Sequence, residues 1–124
     1  MTPLTLTLPY PPTTNNAYLV RGNRKVKTTA ARQYAAAVTE TLLVNPDAHR
    51  CRATLQPGTR LRATITVVPP DKRRRDLSNT EKLATDAIFA WLEADDSSID
   101  ELLLRRRAID RTNPRLVYTL EAIS

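Results

Sequence analysis

Carboxylates and cations crowd one stretch of this chain. From Pro70 to Asp100 it runs PDKRRRDLSNTEKLATDAIFAWLEADDSSID. Lys72, Arg73, Arg74 and Arg75 form a cationic run, followed by Asp76, then Lys82 and Asp86, then Asp95 and Asp96. Carboxylate oxygens suit a hard divalent cation such as magnesium, which keeps several of its waters. One or two such ions can activate water and stabilise the leaving oxygen of a phosphodiester. Asp76, Asp86, Asp95 and Asp96 are therefore candidate metal ligands, and Lys82 a candidate contact to a scissile phosphate. The cationic run is a candidate grip on a phosphate backbone.

Structural roles account for the same residues. Ser78-Asn79-Thr80-Glu81 has the form of a capping box, with Ser78 as N-cap and Glu81 three residues on. Asp76 can favour the start of a helix dipole, Lys82 and Asp86 can be an exposed pair one turn apart, and Asp95-Asp96 can be a solvated turn. Spacing leaves both readings open. A continuous helix places Asp76 and Asp95 nearly 30 Å apart, at about 1.5 Å for each of roughly 19 residues. A shared metal site therefore requires the chain to bend back, or a ligand from a neighbouring strand or subunit.

The elements that must position these groups follow from periodicity. Leu4, Leu6 and Leu8 alternate with Thr5 and Thr7, the pattern of a half-buried strand. Pro9, Pro11 and Pro12 end it, and Thr13 to Asn16 form a polar loop. Residues 17–20 and 25–28 are expected to pair as a hairpin around Gly22-Asn23. Its Arg21, Arg24, Lys25 and Lys27 make either a charge-protected edge or an arm that contacts phosphate. Thr29 is expected to cap a helix over residues 30–44, with Tyr34, Val38 and Leu42 on its apolar stripe. Residues 45–58, with two prolines and a terminal glycine, are expected to be a loop, and no role is assigned there to His49 or Cys51. Residues 60–68 alternate as a strand, with Leu61, Ala63, Ile65 and Val67 on one face. A helix is expected over residues 77–92, with Leu77, Ala84, Ala87, Ile88 and Trp91 on the apolar face and Asn79, Lys82 and Asp86 on the other. Residues 99–109, carrying Arg105 and Arg107 on one face and Arg106 on the other, and residues 116–123 are expected to close the chain as a hairpin. Tyr10, Trp91 and Tyr118 are expected in the core or at an interface.

Composition narrows the class. The 124 residues suit one domain over 1–124. The formal charge of +6 favours a polyanionic partner, most simply nucleic acid. Two glycines in all exclude a phosphate-cradling glycine loop. The lone Cys51 rules out an intramolecular disulfide and suits a reducing cytoplasm. One histidine and one cysteine cannot build a zinc site. No apolar run is long enough for a membrane span, and no membrane partner is expected.

The same residues carry a resemblance. LTLPYPPTTNNAY near the start, PDKRRRDLSNTEKLATDAIF in the middle and EADDSSID after it resemble, in that order, three motifs of the RusA family of Holliday-junction resolvases. The resemblance covers nearly the whole chain. It implies an α+β domain, a small mixed sheet with two main helices, forming a homodimer. It implies a magnesium-dependent endonuclease, with manganese as a possible substitute, that resolves four-way and branched DNA in recombination and repair. Such proteins are usually found in phages and prophages, which places the chain in a bacterial or phage-infected host cytoplasm. The resemblance makes Asp76 and Asp96 metal-binding acids and Lys82 a functional lysine, adds Asp86 as a further acid, and matches Asn79 to a family asparagine. Asn15 and Asn16 fall in the first motif.

One position departs. Where the best-known pattern reads Asp-Leu-Asp-Asn, this chain has Asp76-Leu77-Ser78-Asn79. A serine can cap a helix and bind a metal weakly, but it supplies no charge. Asp95 is one possible compensation. The alternative is a non-catalytic protein that binds branched DNA. A third class is a basic interaction protein whose acids only cap and solvate.

Overall fold

The structure is a computed structural model that describes residues 1–13, 18–73, 76–77 and 80–123, giving only the backbone of Tyr18, Arg21 and Lys25. Its elements are β1 (Leu4–Pro9), β2 (Tyr18–Arg21), β3 (Arg24–Lys27), α1 (Thr29–Leu43), α2 (Pro46–Thr54), β4 (Leu61–Val68), α3 (Lys82–Leu92), a 3-10 turn (Asp96–Ser98), β5 (Ile99–Arg106) and β6 (Arg115–Ala122). The alternating leucines of β1 bury Leu4, Leu6 and Leu8 to 1% exposure while Thr5 and Thr7 face outward, as period-two patterning demands.

Four strands form one sheet in the order β1-β6-β4-β5, and β2 and β3 form a separate antiparallel hairpin. β6 runs antiparallel to both β1 and β4, whereas β4 and β5 are parallel. The mixed sheet and α+β class agree with expectation; the terminal hairpin does not. Arg115 follows β5 closely in sequence, yet β6 pairs with β4 and β1. Because β4 and β5 are parallel, the chain must cross over between them, and α3 makes that crossing.

One face of the sheet is dry. Leu6 opposes Tyr118 on β6, and Tyr118 opposes Ile65 on β4, so the tyrosine occupies the middle of the inner face at 1% exposure. α1 covers it with Ala31, Tyr34, Val38 and Leu42, and α3 with Leu83, Ala84, Ile88 and Phe89. The other face carries Thr5 hydrogen-bonded to Thr119, and Arg62 bridging Glu101 and Glu121.

Three boundaries differ from the sequence reading. Thr28, not Thr29, caps α1, accepting from the Ala31 amide at 3.2 Å. Residues 46–54 are the helix α2, not loop. Asn45 accepts from the Ala48 amide at 3.1 Å, and Pro46 takes a first-turn position where its missing N–H costs nothing. This third helix buries Ala48 and Cys51 completely. His49 Nε2 lies 2.8 Å from the Leu43 carbonyl, and the ring stands edge-on to Trp91 with centroids 5.3 Å apart. Arg52 lies over the same indole at 5.1 Å. Finally, α3 begins at Lys82 with Glu81 as N-cap and no side-chain cap bond. The capping box expected at Ser78 falls outside the described residues.

Candidate functional site

The bend that a shared acidic site needs is made at the end of α3. Glu93 adopts a left-handed conformation, φ 56°, at a position usually filled by glycine. The Glu93 amide donates to the Ala90 carbonyl at 3.3 Å and the Ala94 amide to Phe89 at 3.1 Å, the paired bonds of a Schellman motif. The chain then turns back along the helix. Asp95 caps the 3-10 turn by accepting from the Ser97 amide at 2.9 Å. This bond, with help from the Ser97 side chain, holds the Asp95 carboxyl below its ordinary value.

Asp86, Asp95 and Asp96 consequently line one open cleft, together with Phe89, Ala90, Glu93 and Ala94. Lys82 sits one turn before Asp86, with Nζ 3.2 Å from Oδ1. Asp76 is exposed on the segment entering α3 and does not line this cleft. The structure therefore brings together three of the four candidate acids.

Beneath them runs a buried chain that sequence reasoning missed. Thr85, 4% exposed, donates its hydroxyl hydrogen to the Glu81 carboxylate. Its oxygen lies 2.9 Å from the Tyr118 hydroxyl. Since the Thr85 proton is already used, Tyr118 must donate this bond. Burial pushes the Tyr118 phenol well above its ordinary value, and Glu81, Asp96 and Asp86 push it further up. The sequence makes Glu81 a capping residue, and nothing in its spacing to Tyr118 signals the link.

The cations gather elsewhere. Lys72 and Arg73 line a groove with Arg106 and Arg107, bordered by Tyr10, Asp71 and Thr80. This groove lies beyond the C-terminal ends of β4 and β5, whereas Asp95 and Asp96 precede the N-terminal end of β5. At about 3.3 Å per residue the eight residues of β5 put Asp95 and Asp96 roughly 25 Å from Arg106, while Thr80 of the groove is only six residues before Asp86 of the cleft; the cationic run and the acids line different pockets. Arg107 takes its place by donating its amide to the Val67 carbonyl at 2.9 Å. Arg105 points to the opposite face, where its Nε donates to Thr66 Oγ1 at 2.9 Å. Arg106, which the sequence places on the opposite face from Arg105 and Arg107, lines the groove together with Arg107. The hairpin presents exposed Arg24 and Lys27 beside exposed Leu19 and Val20. Asn15, Asn16, Arg74, Arg75 and Asn79 lie outside the described residues, as do the side chains of Arg21 and Lys25.

Among the described residues no three acids, histidines or cysteines close into a metal cage. The cleft instead offers hard oxygen donors side by side. That donor set fits magnesium, which binds through one or two carboxylates plus waters and substrate phosphates. Zinc would want histidine or cysteine ligands, and the described lining of the cleft has neither.

Comparison with protein families matches residues 9–121 to the profile described as Endodeoxyribonuclease RusA. A search of the curated proteins finds no match. Among the described residues no helix is long and apolar enough to cross a membrane.

Proposed function

The chain belongs to the RusA endodeoxyribonuclease family, and from that premise we propose that it is a homodimeric, magnesium-dependent nuclease that resolves Holliday junctions in recombination and repair. Manganese is the proposed substitute ion, and the cytoplasm of a bacterium or phage-infected host the proposed setting. The observation that supports this most directly is the convergence of Asp86 with Asp95 and Asp96 on one cleft beside Lys82.

Each group has a proposed part. Asp96 and Asp86 would hold the metal, which when bound supplies positive charge at the phosphate and lowers the pKa of water. Asp95, engaged in its cap, fixes the turn that carries Asp96. Lys82 balances Asp86 and reaches toward phosphate charge. The resemblance gives Asp76 a metal-binding role as well, which Asp76→Asn tests separately. Lys72, Arg73, Arg106, Arg107 and the β2–β3 hairpin would hold the backbone, fixing register and not sequence. A two-fold dimer supplies two equivalent sites for two symmetric nicks.

A second reading is a protein that binds branched DNA without cutting it. Ser78, an uncharged residue where the family's pattern has an aspartate, favours it. One experiment separates the two. Purified protein is given a labelled four-way junction and a matched linear duplex, with magnesium or with chelator, alongside Asp96→Asn. Symmetric, magnesium-dependent nicks that vanish in the variant support the nuclease. Junction binding without nicks supports the second reading. Equal binding to both DNAs refutes both.

A further inference from the structure

The edge of the sheet at β5 is apolar where edges are usually guarded. Its exposure pattern shows no buried residue along its length. Leu102 is 49% exposed and Leu103 51% exposed, one on each face of the strand. Register puts Leu102, Leu104 and Arg106 beside the inward Ala63, Ile65 and Val67, and Leu103 and Arg105 beside the outward Thr64 and Thr66. An edge strand with an apolar centre on both faces invites pairing with another strand.

The sequence of β5 says which strand. It is acidic at its start (Asp100, Glu101), apolar in the middle (Leu102, Leu103, Leu104) and basic at its end (Arg105, Arg106). Such an order is complementary to itself when reversed. Extending a sheet about a two-fold axis normal to it requires opposed residues to share a face, so only residue-centred registers qualify. Centring on Leu102 opposes Glu101 to Leu103; centring on Leu104 opposes Leu103 to Arg105. Centring on Leu103 opposes Leu103 to itself, Leu102 to Leu104 and Glu101 to Arg105, with Asp100 left at the irregularity in the β4–β5 register. Cross-strand apolar and opposite-charge pairs stabilise sheets, and this register supplies both.

We propose that β5 is the dimer seam, with two copies pairing antiparallel about Leu103 and doubling the four-stranded sheet. The proposal rests on the homodimer reading and gives it a surface. It has a consequence for the site. Antiparallel pairing lays the start of one β5 against the end of the other. Asp95 and Asp96 of each copy, roughly 25 Å along β5 from their own Arg106, then face the Arg106–Arg107 end of the partner's β5. The working site is composite.

Sedimentation of the wild type, Leu103→Arg and Val44→Arg tests the seam. Val44 is exposed and remote from β5 in sequence and serves as the control. The expected result is a dimer for the wild type and Val44→Arg, and a monomer for Leu103→Arg with an unchanged circular dichroism spectrum. A second measurement does not depend on tolerance of a charge. Leu103→Cys should oxidise to a disulfide-linked dimer, since a residue on the axis faces its own copy within disulfide reach; the buried Cys51 does not compete. A Leu103→Arg variant that stays dimeric, together with a Leu103→Cys variant that does not cross-link, would overturn the seam and leave the dimer intact. A monomeric wild type would overturn both.

Discussion

The Thr85 hydroxyl joins the Tyr118 phenol, 2.9 Å away at the centre of the sheet, to the Glu81 carboxylate at the head of α3. It ties the crossover helix to the central strand at a point ringed by acids, and it has no slack, because each hydroxyl gives its proton to the next acceptor.

Breaking this chain at different links should cost different amounts. Tyr118→Phe removes one bond and leaves Thr85 bonded to Glu81, costing about 1 kcal/mol. Thr85→Val leaves the buried Tyr118 hydroxyl without an acceptor and removes Glu81's partner, costing up to about 3 kcal/mol. Urea denaturation at neutral pH should rank them in that order. Equal costs would mean the chain does not act as a unit.

The buried tyrosines also predict alkaline behaviour. Burial raises both Tyr34 and Tyr118 above the ordinary value, which is about 10 in an unfolded chain. Above that pH the unfolded state releases protons that the folded state retains, so stability falls as pH rises. The stabilisation is fully present below about pH 10 and is lost as pH climbs toward the raised folded values. Melting temperatures should drop steeply in that window, and Tyr34→Phe with Tyr118→Phe should flatten the drop. An unchanged slope in the double variant would refute the assignment.

Much of this architecture is legible in the chain because alternation and burial coincide. The leucines of β1, the inward row of β4 and the stripe Tyr34-Val38-Leu42 lie where periodicity puts them. The failures have local causes. α2 hides behind Pro46, which signals a break in general but an opening when an asparagine cap precedes it. Sequential strands usually pair, but β6 takes the place between β1 and β4, where its inward face meets apolar rows on both sides. The acidic cleft depends on a left-handed Glu93, a conformation that no glycine advertised. Charge density marked the Pro70–Asp100 stretch, but could not reveal that α3 carries its two ends to opposite ends of β5.

The groove and the outer face of β5 give a contrast within one strand. Arg107→Ala should weaken junction binding and reduce the salt slope by about 1, as loss of one phosphate contact does. Arg105→Ala, whose guanidinium is held on the opposite face by Thr66, should change the slope less. Binding isotherms at several salt concentrations would show it, and the reverse ranking would remove the groove from the interface.

Complementation between two variants, at a salt concentration where neither alone nicks the junction, tests the composite site together with its chemistry. Asp96→Asn lacks the acid and Arg107→Ala lacks the grip, so each homodimer has two damaged sites. If the cleft and groove that act together belong to different copies, a mixed dimer pairs the intact Asp96 of one chain with the intact Arg107 of the other. That restores one complete site, and its other site carries both lesions. Equal mixing should then recover single-strand nicking of a labelled junction, up to about one quarter of wild-type sites when half the dimers are mixed. If cleft and groove act within one chain, every site in the mixed dimer keeps one lesion, and mixing recovers nothing. Recovery should also disappear when Leu103→Arg is added to both chains, since the seam that brings the two halves together is then gone.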